Sequence, residues 1–151
     1  MLRSRQGFTL VEILIVVVIL GILAAIVIPQ FARATTQAQE GALASQLQNL
    51  QGQIDIYHAR TASYPPTSTS QAFWDALLDT ANGGANPYID GIPVNLAFPG
   101  TAAQRQTIGP VTTSGVRGAA GSAWVFNTVE HRIYASYYDE AAQRVTSNAV
   151  D

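Results

Sequence analysis

The chain has 151 residues, 48% of them hydrophobic and only 12% charged, with a formal net charge of −2, a length suited to one ordinary domain. Its basic side chains are eight arginines scattered singly, with no lysine, so no basic stripe exists to neutralise a phosphate backbone and nucleic-acid binding is not expected. The absence of cysteine excludes disulfides, thiol catalysis and cysteine-ligated metal centres.

Met1 to Gln6 contain Arg3 and Arg5 and no acid; Gly7 and Phe8-Thr9-Leu10-Val11-Glu12 follow. Beyond Glu12, Ile13 to Ile28 hold no charged or strongly polar residue, and Pro29 ends the run. As an α-helix, Phe8 to Ile28 extends roughly 31 Å, the thickness of a hydrocarbon core. A lone span must be helical, because lipid offers nothing to satisfy an open backbone. The arginines ahead of the span keep that end cytoplasmic, so the C-terminal part is expected to be exported to the periplasm or exterior. The run is long for a secretory h-region and no Ala-x-Ala site stands after it, although a plain signal anchor fits the same pattern. An acid in such a helix costs up to about 2.5–3.5 kcal/mol at the bilayer centre, so Glu12 calls for a partner. A cut after Gly7 would create an amine on Phe8, which stands at i to Glu12 at i+4. That amine could pair with its own Glu12 or with that of a neighbour. Pro29 removes a helix hydrogen bond and crowds the Ala25 carbonyl, so a kink is expected there.

The run Gly7-Phe8-Thr9-Leu10-Val11-Glu12 through Pro29 resembles the leader and first helix of type IV pilins and type II secretion pseudopilins. The resemblance implies that a prepilin peptidase cuts between Gly7 and Phe8 and N-methylates Phe8. It implies that Glu12 neutralises the Phe8 amine of an adjacent subunit during assembly, and that the membrane helix bends or melts at Pro29. It also implies an assembly ATPase and an inner-membrane platform protein as partners, together with other pilins or pseudopilins and copies of the chain itself.

Helix formers continue past Pro29, and from Leu43 apolar residues recur at Leu47, Leu50, Ile54 and Tyr57. That spacing predicts an amphipathic helix with one apolar stripe, ending near Ala62 before Tyr64-Pro65-Pro66. Ser70 is a candidate cap for a short helix from Gln71 to about Ala81, burying Phe73, Trp74, Leu77 and Leu78 and closed by Asn82-Gly83-Gly84. Asn86 to Asn95 carries three turn signals and reads as irregular; Gly100 to Gly121, rich in Gly, Thr, Ser and Ala, reads as a long flexible loop. Ala123–Asn127 and Arg132–Tyr138 read as a hairpin bending over Thr128 to His131, with Trp124 and Phe126 on one face and Ile133, Ala135 and Tyr137 on one face of the partner. The tail beyond Glu140 shows no pattern.

The expected fold is pilin-like α+β: a long N-terminal helix, its apolar half spanning the membrane and its amphipathic half packed on a small antiparallel sheet. The expected organisation is a leader over 1–7, a membrane and filament-core helix over 8–29, an amphipathic continuation over 30–63 and a head over 64–151. The segments around Tyr64-Pro65, Pro87 to Pro93 and Trp124 to Asn127 resemble the heads of major pseudopilins. The acid-Pro-Trp-Gly run of that family is missing, and Val94 to Gly100 stand in its place. Those pseudopilins carry calcium in a C-terminal loop. Here Asp139 and Glu140 are the nearby acidic pair, with no Asp-rich run around them; they are the weak candidates for calcium ligands and read more readily as a solvated hairpin end. Without cysteine the chain also departs from pilins that close this loop with a disulfide.

His58 and His131 are the only histidines; His58 is expected at the surface and His131 at a turn, which makes neither a zinc triad nor a catalytic dyad. No hydrolase, phosphate-loop or dinucleotide motif is present, so no enzyme is expected, and no cofactor beyond the weak calcium candidate. The expected function is that of a filament subunit of the type II secretion pseudopilin kind. The alternatives are a surface type IV pilin and a monomeric membrane-anchored exported binding protein.

Overall fold

The computed structural model describes residues 7–112 and 121–146. Six positions of the expected leader, part of the expected 100–121 loop and the last five residues lie outside that range. The chain divides into two units, Met1–Thr36 and Gln37–Asp151.

Helix α1 runs over Leu10–Thr61, and residues on both sides of Pro29 are helical. In the first unit its apolar side chains are exposed all round, from Phe8 at 82% to Val27 at 42% and on to Phe31. A helix greasy on every side has no solvated face and belongs in lipid or in a bundle. The helix is long and apolar enough to cross a membrane, with a mean hydropathy of 3.3 in its most apolar window.

In the second unit the stripe read from the sequence is the buried one: Leu43, Leu47, Leu50 and Ile54 are at most 6% exposed, and Tyr57 packs at the edge. Ala62, at φ 56°, ends the helix, and its N–H donates to the His58 carbonyl. Tyr64 then folds back between two imidazoles, 4.2 Å from the His58 ring and 4.1 Å from the His131 ring. His58 is therefore half-buried in a stack rather than on a free surface, because the turn after α1 brings Tyr64 over it.

Helix α2 spans Ser70–Leu78 and buries Phe73, Trp74 and Leu77. Its cap is Thr69 rather than Ser70: Thr69 has extended backbone, and its Oγ1 accepts from the Ala72 N–H at 3.0 Å. Ser70 is already helical, and its Oγ accepts instead from the Ile108 N–H at 3.0 Å, fastening α2 to a strand. The helix ends three residues earlier than the Asn-Gly-Gly signal suggested, at Asp79 in the left-handed region, and a 3₁₀ turn over Thr80–Asn82 precedes Gly83.

The three-stranded sheet has the order β1 (Ile108–Val111), β2 (Trp124–Asn127), β3 (Arg132–Ala135). It is mixed rather than antiparallel. Strand β2 pairs β3 antiparallel with Trp124 opposite Ala135 and Phe126 opposite Ile133, the face read from alternation. Strand β1 pairs β2 in parallel, inside the segment expected to be a loop. Gly109 and Pro110 hid it, since proline is excluded from central strands yet accepted on an edge such as this one. Tyr137, at φ 66°, leaves the sheet, and the chain continues into a two-stranded ladder of β4 (Tyr138–Asp139) and β5 (Arg144–Val145). The core gathers Phe73, Trp74, Leu77, Phe98, Trp124, Phe126, Ile133 and Tyr138 against the α1 stripe.

Two polar side chains complete this packing. Asn95 is fully buried; its Nδ2 donates to the Ala123 and Ser136 carbonyls at 2.7 and 2.9 Å, and its Oδ1 accepts from the Ala97 and Phe98 N–H groups. Gln51 on α1 treats the edge of β3 as a further strand would. Its Oε1 accepts from the Ile133 N–H at 3.0 Å, and its Nε2 donates to the His131 carbonyl at 3.1 Å. An open strand edge is thereby capped by one amide.

Candidate functional site: the N-terminal segment

Gly7, Phe8 and Thr9 precede the helix and carry no regular structure, so the Gly7–Phe8 bond lies in non-helical, exposed chain. A β-carbon added at Gly7 would meet nothing within 4 Å, so packing among the described residues places no demand for glycine there. The same holds at Gly21 in the middle of the apolar run.

Glu12 sits in the first turn of α1 and forms a capping box with Thr9. Its Oε2 accepts from the Thr9 N–H and from the Thr9 hydroxyl, both at 2.8 Å, while the Thr9 Oγ1 accepts from the Glu12 N–H at 3.3 Å. Two donors that every helix start leaves open are thus closed reciprocally. The carboxylate of Glu12 is held at the helix entrance, one turn from the Gly7–Phe8 bond, and both of its bonds go to one oxygen. Sequence reasoning offered Phe8 as the partner and passed over Thr9. The signal was available, since Thr-x-x-Glu ahead of an apolar run is the capping-box pattern.

The remaining singled-out residues do not join this site. Asp139 and Glu140 lie in the second unit: the Asp139 Oδ1 accepts from the Ala141 and Ala142 N–H groups at 3.0 and 3.1 Å, and Glu140 pairs with Arg132 at 3.4 Å. No group of three or more histidine, aspartate or glutamate side chains converges among the described residues.

Comparisons with known proteins cover this segment. Residues 2–28 match the family model of the prokaryotic N-terminal methylation motif. The type II secretion system core protein G of Pseudomonas aeruginosa is 36% identical over 100 residues, which cover 62% of this chain and 68% of that protein. The protein of the same name from Aeromonas hydrophila is 34% identical over 91 residues, 59% of this chain and 62% of the relative. That from Klebsiella pneumoniae is 38% identical over 66 residues, 44% of this chain and 47% of the relative. The matched part thus spans about half to two thirds of these relatives. No solved structure matches the chain with statistical support. A methylation motif leading into an exposed apolar helix, with relatives that share one name, places this chain in the family of the type II secretion system core protein G, the major pseudopilins.

Proposed function

We propose that the chain is cut between Gly7 and Phe8 by a prepilin peptidase, N-methylated on Phe8, and polymerised through α1 into a secretion-system filament. The observation that carries this reading is Glu12 held at the entrance of a helix that is apolar and exposed on every side. The role is structural, not catalytic. The chain is anchored in the cytoplasmic membrane with Arg3 and Arg5 inside and the head exported. Glycine at position 7, for which the described residues have no steric use, lets a protease close on an extended backbone.

In the membrane, the Thr9 bonds disperse the charge of Glu12 and make insertion tolerable. Cleavage places a cationic amine on Phe8, and assembly replaces lipid around each helix by other helices. A carboxylate in that dry bundle is favourable only beside a cation. The Phe8 amine of a neighbouring copy meets Glu12 there and sets the axial register between subunits. Pro29 takes one hydrogen bond out of α1 and provides the place where the helix yields as it leaves the membrane. The assembly ATPase and the platform protein supply the force and the scaffold.

The test is a pair of substitutions in the native host. Glu12→Ala should insert and be processed, with N-methylphenylalanine found at the mature terminus by mass spectrometry, yet give few or no filaments. Gly7 changed to a bulky residue should accumulate uncut precursor. Filaments of normal number and length from Glu12→Ala would refute the pairing, and a working protein that keeps residues 1–7 would refute the whole reading. A surface pilus and a monomeric anchored protein are the other outcomes. Filaments on the cell exterior would indicate the first, and mature protein that never cross-links to itself the second.

A further inference from the structure

The relatives' family implies calcium in the C-terminal loop, and the described residues there do not fit it. Calcium takes six to eight oxygens converging on one point. Around the β4–β5 turn, three carboxylates point instead at four donors in three separate places. The Asp139 Oδ1 closes the turn on the Ala141 and Ala142 N–H groups. Glu140 is neutralised by the guanidinium of Arg132 on β3. Glu40 reaches across from α1, and its Oε1 accepts from the Val145 N–H at 3.0 Å. The ladder is closed at its base by the Thr146 N–H donating to the Tyr137 carbonyl at 2.9 Å, and both bends use left-handed backbone, at Tyr137 and Gln143.

We infer that the 138–145 hairpin is a cation-independent clasp. Glu40 ties its second strand to α1, Arg132 supplies the positive charge at Glu140, and backbone N–H groups satisfy Asp139. Hydrogen bonds to an ionised carboxylate are roughly twice as strong as neutral ones, so this set replaces what a divalent ion would do for the same acids. The clasp acts within the head and does not depend on filament assembly.

The test uses the full chain in detergent micelles, with the head followed by the fluorescence of the buried Trp74 and Trp124. The melting midpoint should be the same in EDTA and in several millimolar calcium chloride. A site filled well above its dissociation constant would raise the midpoint by several degrees, because binding to the folded state alone is stabilising. Glu40→Gln keeps an oxygen for the Val145 N–H but loses the charge, so it should melt between the parent and Glu40→Leu. Glu40→Leu removes that oxygen and should melt lower, with faster hydrogen exchange at Val145, equally in both buffers. A calcium-dependent rise in the parent, or Glu40→Gln behaving like Glu40→Leu, would overturn the inference.

Discussion

Replacing Asn95 by alanine should be among the most damaging single changes in the head. The side chain is fully buried and serves four backbone groups. Two of them have a second partner: the Ala123 carbonyl also accepts from the Ser136 N–H, and the Phe98 N–H also reaches the Asn95 carbonyl. The Ser136 carbonyl and the Ala97 N–H depend on the amide. Leaving the buried Ser136 carbonyl unpaired costs about 1–3 kcal/mol and losing the bond to the part-buried Ala97 N–H about 0.5–1.5 kcal/mol more, roughly 1.5–4.5 kcal/mol together. That is a large part of the roughly 5–15 kcal/mol that holds a domain together. In a domain of this size each kcal/mol moves the midpoint by roughly 4–8 °C, so Asn95→Ala should melt on the order of 10 °C or more below the parent. Asn95→Asp sharpens the test, since it keeps an acceptor for Ala97 but turns a carboxylate on two carbonyls. It should be at least as damaging at neutral pH and recover as the acid takes up a proton. The assay is thermal unfolding of the full chain in micelles, read by tryptophan fluorescence. A midpoint for Asn95→Ala within two degrees of the parent would refute the assignment of Asn95 as the joint between the 95–98 turn and the strands.

Three more expectations follow from named contacts. Gln51→Leu keeps the volume but leaves the Ile133 N–H open, so it should cost about 1–3 kcal/mol and speed hydrogen exchange at Ile133 more than at Val125 in the sheet centre. Thr69→Ala should cost about 1 kcal/mol as a lost cap, and Ser70→Ala should cost at least as much, because it orphans the Ile108 N–H; unfolding of the two single variants ranks them. Burial, aided by the carboxylates of Glu140, Glu40 and Asp139, holds the Tyr138 phenol above its ordinary range. The native state therefore keeps a proton that the unfolded chain has released, and stability, full below about pH 10, should fall as pH rises past that point. Tyr138→Phe should flatten this alkaline decline in denaturant titrations.

Much of this protein is written in local pattern. The apolar first half of α1 follows from composition alone, because a helix greasy on every side needs only length and apolar side chains. The stripe at Leu43, Leu47, Leu50 and Ile54 follows from a period of three and four, and the β2–β3 register follows from alternation between Trp124 and Ala135. The candidate site is local too: Gly7, Phe8, Thr9 and Glu12 lie within six positions, and even the capping box is a short-range pattern. What the tertiary structure alone decided is wherever a residue answers to a distant one. Strand β1 holds Gly109 and Pro110, weak formers that become a strand only because β2 offers its edge. Asn95, Gln51, Ser70 and Glu40 look like ordinary surface or cap residues until the fold sets each opposite a backbone group from 28 to 105 positions away. Propensity describes what a segment prefers by itself. Satisfying buried hydrogen-bonding groups is a property of the assembled core, and no window of sequence contains both partners.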